Sequence, residues 1–140
     1  MRHLAQQTFA ADPQTVHATR DFAMQALDGW GGCRRGDDIR LCVSEPAGNA
    51  VQHGSPDGRT YLVRLIRHPY CLHVEVHDSA RHSRVRIPPA LPSAEAGRGM
   101  RIVQDLCDDW GVQALTGNDK AVWTCFRRPE AHTSRCSRTP

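Results

Sequence analysis

The chain has 140 residues, with 18 Lys and Arg against 15 Asp and Glu, and a formal net charge of +3. This length predicts one domain with its own core, and the balanced charge argues against direct binding of nucleic acid. The sequence has no apolar run of ~18 residues, which a membrane span needs, and its first residues lack the apolar stretch of a signal peptide. We therefore expect no membrane partner.

The cysteines are spaced irregularly, and none forms a C-x-x-C pair. Several fall inside apolar segments, which favours free thiols used as small buried side chains. Free thiols are typical of a reducing compartment, so a cytoplasmic location is expected. The six cysteines are Cys33, Cys42, Cys71, Cys107, Cys125 and Cys136.

Two helices are predicted after a weak strand pattern at residues 4–10. Asp12 followed by Pro13 is typical of a helix start, and apolar residues at helical spacing continue this helix to the glycines at 29–32. A second helix is predicted from Asp38 to His53.

The rest of the chain predicts two hairpins separated by a loop and a third helix. The elements are strands at 60–67 and 70–77, a loop at 79–96, a helix from Gly97, and strands at 110–115 and 121–126. Two hairpins with few crossovers predict an α+β fold, a two-layer α/β sandwich with a mixed, mostly antiparallel sheet and helices on one face. The domain is predicted over residues 1–128, with a disordered tail at 129–140.

Three polar side chains recur every four residues on the second helix: Glu45, Asn49 and His53. Residues at this spacing share one side of a helix. An Asn oxygen can bind a hard cation, and a Glu beside it can act as a general base. The alternative is the solvated edge of an amphipathic helix. Pro46 and Gly48 weaken the helix between them, and the chemistry of the polar side chains does not explain either residue.

Two further positions suit a ligand. Gly97 and Gly99, with Arg98 between them, stand before a helix, where exposed N–H groups can bind a phosphate; a plain glycine turn is the alternative. Asp78 ends a strand and can accept a hydrogen bond from an adenine amino group, or simply cap the strand end.

A zinc site at His73-Val74-Glu75-Val76-His77 is rejected. The motif is not H-E-x-x-H, and it falls on a predicted strand. The two histidines would be about 13 Å apart at ~3.3 Å per residue, which is too far for ligands of one tetrahedral ion.

Taken in order, these motifs resemble the GHKL ATPase superfamily, which includes histidine kinases, heat-shock protein 90, gyrase and the MutL proteins. The resemblance covers residues 5–127 and is carried by LCVSEPAGNAVQHG, LHVEVHDSA, GRGMRIVQDLCDDWGV and KAVWTCF. In its small size, the chain is most similar to the bacterial anti-sigma-factor, serine-protein-kinase branch, especially the short ATP-binding regulators of actinomycetes. The resemblance implies a Bergerat-type ATP-binding fold.

The resemblance also implies roles for individual residues. Glu45 would activate the attacking hydroxyl, Asn49 would hold Mg²⁺ against the ATP phosphates, and Asp78 would take the adenine amino group. Residues 80–96 would form a lid over the phosphates. The cofactor-binding residues implied are Asn49, His53, Asp78, Ala80, Gly97, Arg98, Gly99 and Met100.

The implied function is an ATP-binding regulator of transcription that acts on a protein partner, either a sigma factor or an antagonist of an anti-sigma factor. It would be a serine/threonine-protein kinase, and a homodimer is left open. One departure favours an alternative: the family's D-x-G-x-G box is Asp78-Ser79-Ala80-Arg81-His82 here, without glycine. The alternative is a catalytically weak or inactive protein-binding module of the same fold.

Overall fold

The structure is a computed structural model that describes residues 2–53, 59–78, 95–117 and 119–127, with the side chains of His53 and residues 95–98 excepted. Five strands and three helices are present in these ranges. They are β1 (His3–Ala10), α1 (Pro13–Gly29), α2 (Gly36–His53), β2 (Thr60–Arg67), β3 (Cys71–Asp78), α3 (Glu95–Leu106), β4 (Asp109–Ala114) and β5 (Lys120–Arg127).

The strands form one sheet in the order β1-β2-β3-β5-β4. Each neighbouring pair is antiparallel. The predicted α+β sandwich is confirmed, and the sheet that was expected to be mixed is antiparallel throughout the described strands. The helices pack on one another and on β2 and β3, so they cover one face of the sheet.

The first helix begins where the sequence predicts. The Asp12 side chain accepts a hydrogen bond from the Gln14 N–H at 3.0 Å, and Pro13 occupies the first turn. This is an N-cap, which satisfies one of the backbone donors that a helix start leaves unpaired. The Thr15 hydroxyl lies 2.6 Å from the Tyr61 hydroxyl, which joins the helix to β2.

The core lies between the helices and the sheet. Alternate residues of each strand face it, because side chains along a strand point to opposite faces. In β3 the buried set ends in a carboxylate, since Asp78 follows three apolar residues on the same face. The core residues of the helices and of β2 and β3 include Ala23, Leu27, Ile39, Cys42, Val43, Ala47, Ala50, Val63, Leu65, Leu72, Val74, Val76, Met100 and Val103.

Pro46 does not end the second helix. Helix α2 continues through it from Gly36 to His53, and its ring is among the most completely buried side chains. The lost N–H and the steric cost of proline are offset by burial of that ring in the core. Gly48 is also helical, and a Cβ built there meets no atom within 4 Å.

One end of the sheet, called here the site end, gathers the candidate residues. Ala10 pairs with Thr60 there, and Asp78 pairs with Lys120 in the same part of the sheet. Helix α2 leads into β2 at Thr60, so its C-terminal half approaches this end. Helix α3 leads into β4 at Asp109, which pairs near the opposite end, so its N-terminus approaches the site end.

Several expectations need correction or fall outside the described ranges. Helix α3 begins at Glu95 rather than at the glycines, so the last two residues of the predicted lid are helical. The rest of the lid and the tail at 129–140 lie outside the described residues. Five cysteines are free, but only Cys42 is buried; the others are half-buried, and Cys136 lies outside the described residues.

Burial raises the pKa of the Cys42 thiol to about 12, so this cysteine stays protonated and behaves as an apolar side chain. None of the helices in the described ranges has both the length and the apolar character that crossing a membrane requires.

Candidate functional site

Helices α2 and α3 meet at Glu45 and Gly99. A Cβ built on Gly99 would collide with Glu45 Oε1 and lie 3.4 Å from the carboxyl carbon. The Glu45 carboxylate therefore occupies the space that any other residue would fill at position 99. Glycine leaves this space open to the carboxylate, and the contact places the carboxylate beside the first turns of α3.

Asn49 lies one turn after Glu45 on the same helix, and its side chain is half-exposed. Residues four apart are neighbours on a helix surface, so the carboxylate and the amide lie side by side on α2. His53 is the last residue of the helix. Its side chain is not among those that the structure describes.

The predicted glycine turn is part of a helix. Gly97 and Arg98 are the third and fourth residues of α3. The Gly97 N–H is still among the N–H groups at the helix start that have no partner within the helix. An anion would therefore bind at a helix N-terminus and not at a flexible glycine loop.

Two more residues were implied as site residues, Met100 and Ala80. The Met100 side chain is 1% exposed and packs in the hydrophobic core, where it does not face a ligand. Ala80 lies outside the described residues.

Asp78 is buried at the end of β3 and pairs with a residue to which sequence reasoning gave no role. The Lys120 ammonium nitrogen lies 3.0 Å from Asp78 Oδ1, and the two side chains are 15% and 5% exposed. The two residues are directly opposite in the β3–β5 ladder. The carboxylate that was assigned to adenine thus has a cation beside it.

A signal for Lys120 was present in the sequence. Lys120, Val122, Thr124 and Phe126 alternate along β5, so they share a face, and the last three are buried. A lysine in register with a buried row is unusual because burial of an ammonium costs free energy unless it is paired. That position in the row therefore predicts a paired carboxylate on a neighbouring strand.

The open face of the sheet carries a second polar cluster. His73 Nε2 lies 3.0 Å from Glu75 Oε2, and His77 Nε2 lies 2.7 Å from Glu75 Oε1. Arg64 lies 3.5 Å from the same carboxylate, and the His73 ring stacks on Trp123. These side chains pair with one another through hydrogen bonds and opposite charges on the face of the sheet opposite the helices.

A magnesium ion needs oxygen ligands, so its fit depends on the donor side chains present at the site. Among the described residues, no group of three or more His, Cys, Asp or Glu side chains could hold a metal ion. A magnesium ion on a nucleotide takes most of its ligands from phosphates and water, with one or two from the protein. Asn49 therefore fits as a single oxygen ligand to a nucleotide-bound ion.

The comparison with protein families decides the assignment of the fold. Residues 9–126 match the model of the histidine kinase-like ATPase domain. The chain belongs to that family. No curated protein matches the chain. The predicted superfamily is confirmed, and as a histidine kinase-like ATPase domain the chain is an ATP-binding domain.

Proposed function

We propose that this ATP-binding domain is a regulatory kinase that phosphorylates a serine or threonine of a protein partner, with Mg²⁺ on the nucleotide. The partner is an antagonist of an anti-sigma factor, or a sigma factor that the chain sequesters, and the setting is transcriptional regulation in the cytoplasm. The observation that carries the proposal is the contact between Glu45 and Gly99.

This contact brings a base to the place where phosphates are expected. The N-terminus of α3 presents N–H groups and the positive end of the helix dipole, which attract phosphate. Gly97, the third residue of α3, provides one of these N–H groups. Glu45 lies against Gly99 within the next turn, so its carboxylate is close to the groups that would hold the phosphates.

The chemistry assigned to the site is phosphoryl transfer. The hydroxyl oxygen of the partner forms a bond to the γ-phosphorus, the bond to the β–γ bridging oxygen breaks, and ADP leaves. Glu45 accepts the hydroxyl proton as general base. Mg²⁺, when bound, neutralises charge on the phosphates, and Asn49 supplies its protein ligand. Asp78 accepts a hydrogen bond from the adenine amino group.

The test is calorimetric titration of the purified chain with ATP, with and without Mg²⁺. We expect binding that tightens with Mg²⁺, and Asn49→Ala should remove most of that dependence. Glu45→Gln should leave binding intact and abolish phosphorylation of a cognate partner. Absence of nucleotide binding at millimolar concentration would contradict the proposal.

A second function is favoured by the ion pair at Asp78. Lys120 already lies against this carboxylate; in this second function it closes the base position, and the domain acts by protein contact alone. Two results would support this protein-binding module: no nucleotide binding by the wild-type chain, and unchanged partner binding after Glu45→Gln.

A further inference from the structure

The ion pair between Asp78 and Lys120 lies where the proposed nucleotide would place its base. Both residues belong to rows that face the helices, at the site end of the sheet. The C-terminal half of α2 and the N-terminus of α3 approach the same end. A base next to Asp78 therefore meets the Lys120 ammonium as well.

A contribution to the stability of the fold does not by itself explain why this buried ion pair is present. Removing two charges from water costs several kcal/mol, and apolar residues of similar size often stabilise a fold as well or better. The side chains are only 15% and 5% exposed. The pair joins strands that are already hydrogen-bonded to each other.

The two side chains have complementary hydrogen-bonding capacity. An ionised carboxylate only accepts hydrogen bonds, whereas an ammonium only donates and carries three N–H groups. Side by side, they match a base edge on which a donor lies next to an acceptor. Adenine has such an edge, because its exocyclic amino group donates and the adjacent ring nitrogen N1 accepts.

We propose that Lys120 is a specificity-determining residue of the nucleotide site, donating a hydrogen bond to N1 of adenine while Asp78 accepts one from the amino group. This inference rests on the proposed function, because it requires that ATP binds with its base at Asp78. An ammonium can donate to Asp78 and to the base together, since the two bonds use different N–H groups.

The experiment compares three nucleotides on three proteins by calorimetry. The nucleotides are ATP, 1-deaza-ATP, in which N1 is a C–H group, and 7-deaza-ATP, a matched control that alters a ring nitrogen away from N1. The proteins are wild type, Lys120→Met and Lys120→Arg. Thermal unfolding of each variant is measured first, because Lys120→Met leaves a buried carboxylate without its cation.

We expect the wild type to bind 1-deaza-ATP about 10-fold more weakly than ATP, the effect of one hydrogen bond from a charged donor. The Lys120→Met variant should bind ATP weakly and no longer distinguish ATP from 1-deaza-ATP. The Lys120→Arg variant should keep the distinction, and 7-deaza-ATP should bind the wild type like ATP.

Three outcomes would overturn the inference. Equal binding of ATP and 1-deaza-ATP by the wild type would show that N1 is not read, whatever the variants do, and would leave the proposed function intact. Tighter ATP binding by Lys120→Met would show that the lysine blocks the base position. Absence of ATP binding by the wild type would remove the proposed function, and the inference with it.

Discussion

The two ends of the sheet each hold a carboxylate paired with a cation, but the pairs connect different things. At the end opposite the site, Asp108 Oδ2 accepts from Arg35 Nη1 at 2.7 Å and from the Arg127 N–H at 2.6 Å. Arg35 also donates to the Leu106 carbonyl at 2.5 Å. We call Arg35, Asp108 and the Arg127 N–H the clamp.

The clamp ties together three elements of the fold. Arg35 precedes α2, Asp108 follows α3, and Arg127 ends β5, so one carboxylate connects the helix layer to the sheet. The Arg35 guanidinium also lies 4.9 Å from the centre of the Phe126 ring. The pair of Asp78 and Lys120 instead joins two strands that are already paired. From this comparison we expect the clamp end to stabilise the fold and the site end to serve binding.

The largest expected effect is loss of stability at the clamp. Arg35→Ala removes two hydrogen bonds from a charged donor and a cation–π contact, and should lower the free energy of unfolding by about 3 kcal/mol. Urea denaturation followed by circular dichroism measures this change. The exposed neighbour Arg34 provides the control, since Arg34→Ala should change stability little. ATP affinity of the folded Arg35→Ala protein should equal that of the wild type; a selective loss of affinity would contradict the division between the two ends.

The opposite pattern is expected at Gly99. A Cβ at this position displaces the Glu45 carboxylate, which is the flexible end of a side chain, so the fold should lose little. Misplacement of a catalytic group by about 1 Å can cost on the order of 100-fold in rate. Gly99→Ala should therefore slow the formation of ADP by about that factor. It should change the free energy of unfolding by less than about 1 kcal/mol.

The control for Gly99→Ala is the double variant with Glu45→Ala. If the glycine acts by placing the carboxylate, Gly99→Ala should have no further effect on the rate once Glu45 has been removed. An undiminished rate in the single variant would show that the position of Glu45 does not limit turnover.

A smaller effect, dependent on pH, is expected for Asp108→Asn. Burial raises the pKa of this carboxyl, but hydrogen bonds from the Arg127 N–H and Arg35 outweigh it, so the pKa lies below its usual value of 3.8. A lowered folded-state pKa gives stability that is present above pH 3.8 and is lost as the pH falls through the folded-state pKa. The variant should be less stable by about 1.5 kcal/mol at pH 7.

Stability measured from pH 7 down to pH 2 checks this expectation. The difference between wild type and Asp108→Asn should stay constant to about pH 4 and shrink below it. A difference that does not change with pH would mean that Asp108 acts through packing or neutral hydrogen bonds and not through its charge.

The elements of the fold were largely predictable because their signals are local. The Asp12-Pro13 start of α1 and the turn at His68-Pro69 are set by neighbouring residues. The order β1-β2-β3-β5-β4 was not predicted, because pairing between strands distant in the sequence leaves no local trace. The start of α3 was placed too late because two glycines were interpreted as a turn, whereas both are helical and Gly99 packs against Glu45 of α2.

The candidate site was predictable in part for the same reason. The spacing of Glu45 and Asn49 follows from helical geometry and could be found in the sequence. The contact of Glu45 with Gly99 joins two helices, and the pair of Asp78 and Lys120 depends on the register of β3 against β5. Neither follows from a motif, so both required the packed structure.

The smallest expected effect separates the two weak points of α2. Pro46 was expected to weaken the helix, yet its ring is buried and α2 is continuous, so replacing it by the larger Leu should overpack the core and destabilise the protein. Gly48 differs, because a Cβ there meets no atom within 4 Å. Gly48→Ala should stabilise the protein by up to ~1 kcal/mol, the difference in helix propensity, and leave ATP turnover unchanged, since Glu45 stays in contact with Gly99. Thermal unfolding and ADP release measured on the same sample check both. A faster rate in Gly48→Ala would mean that flexibility of α2, and not the placement of Glu45, limits the reaction.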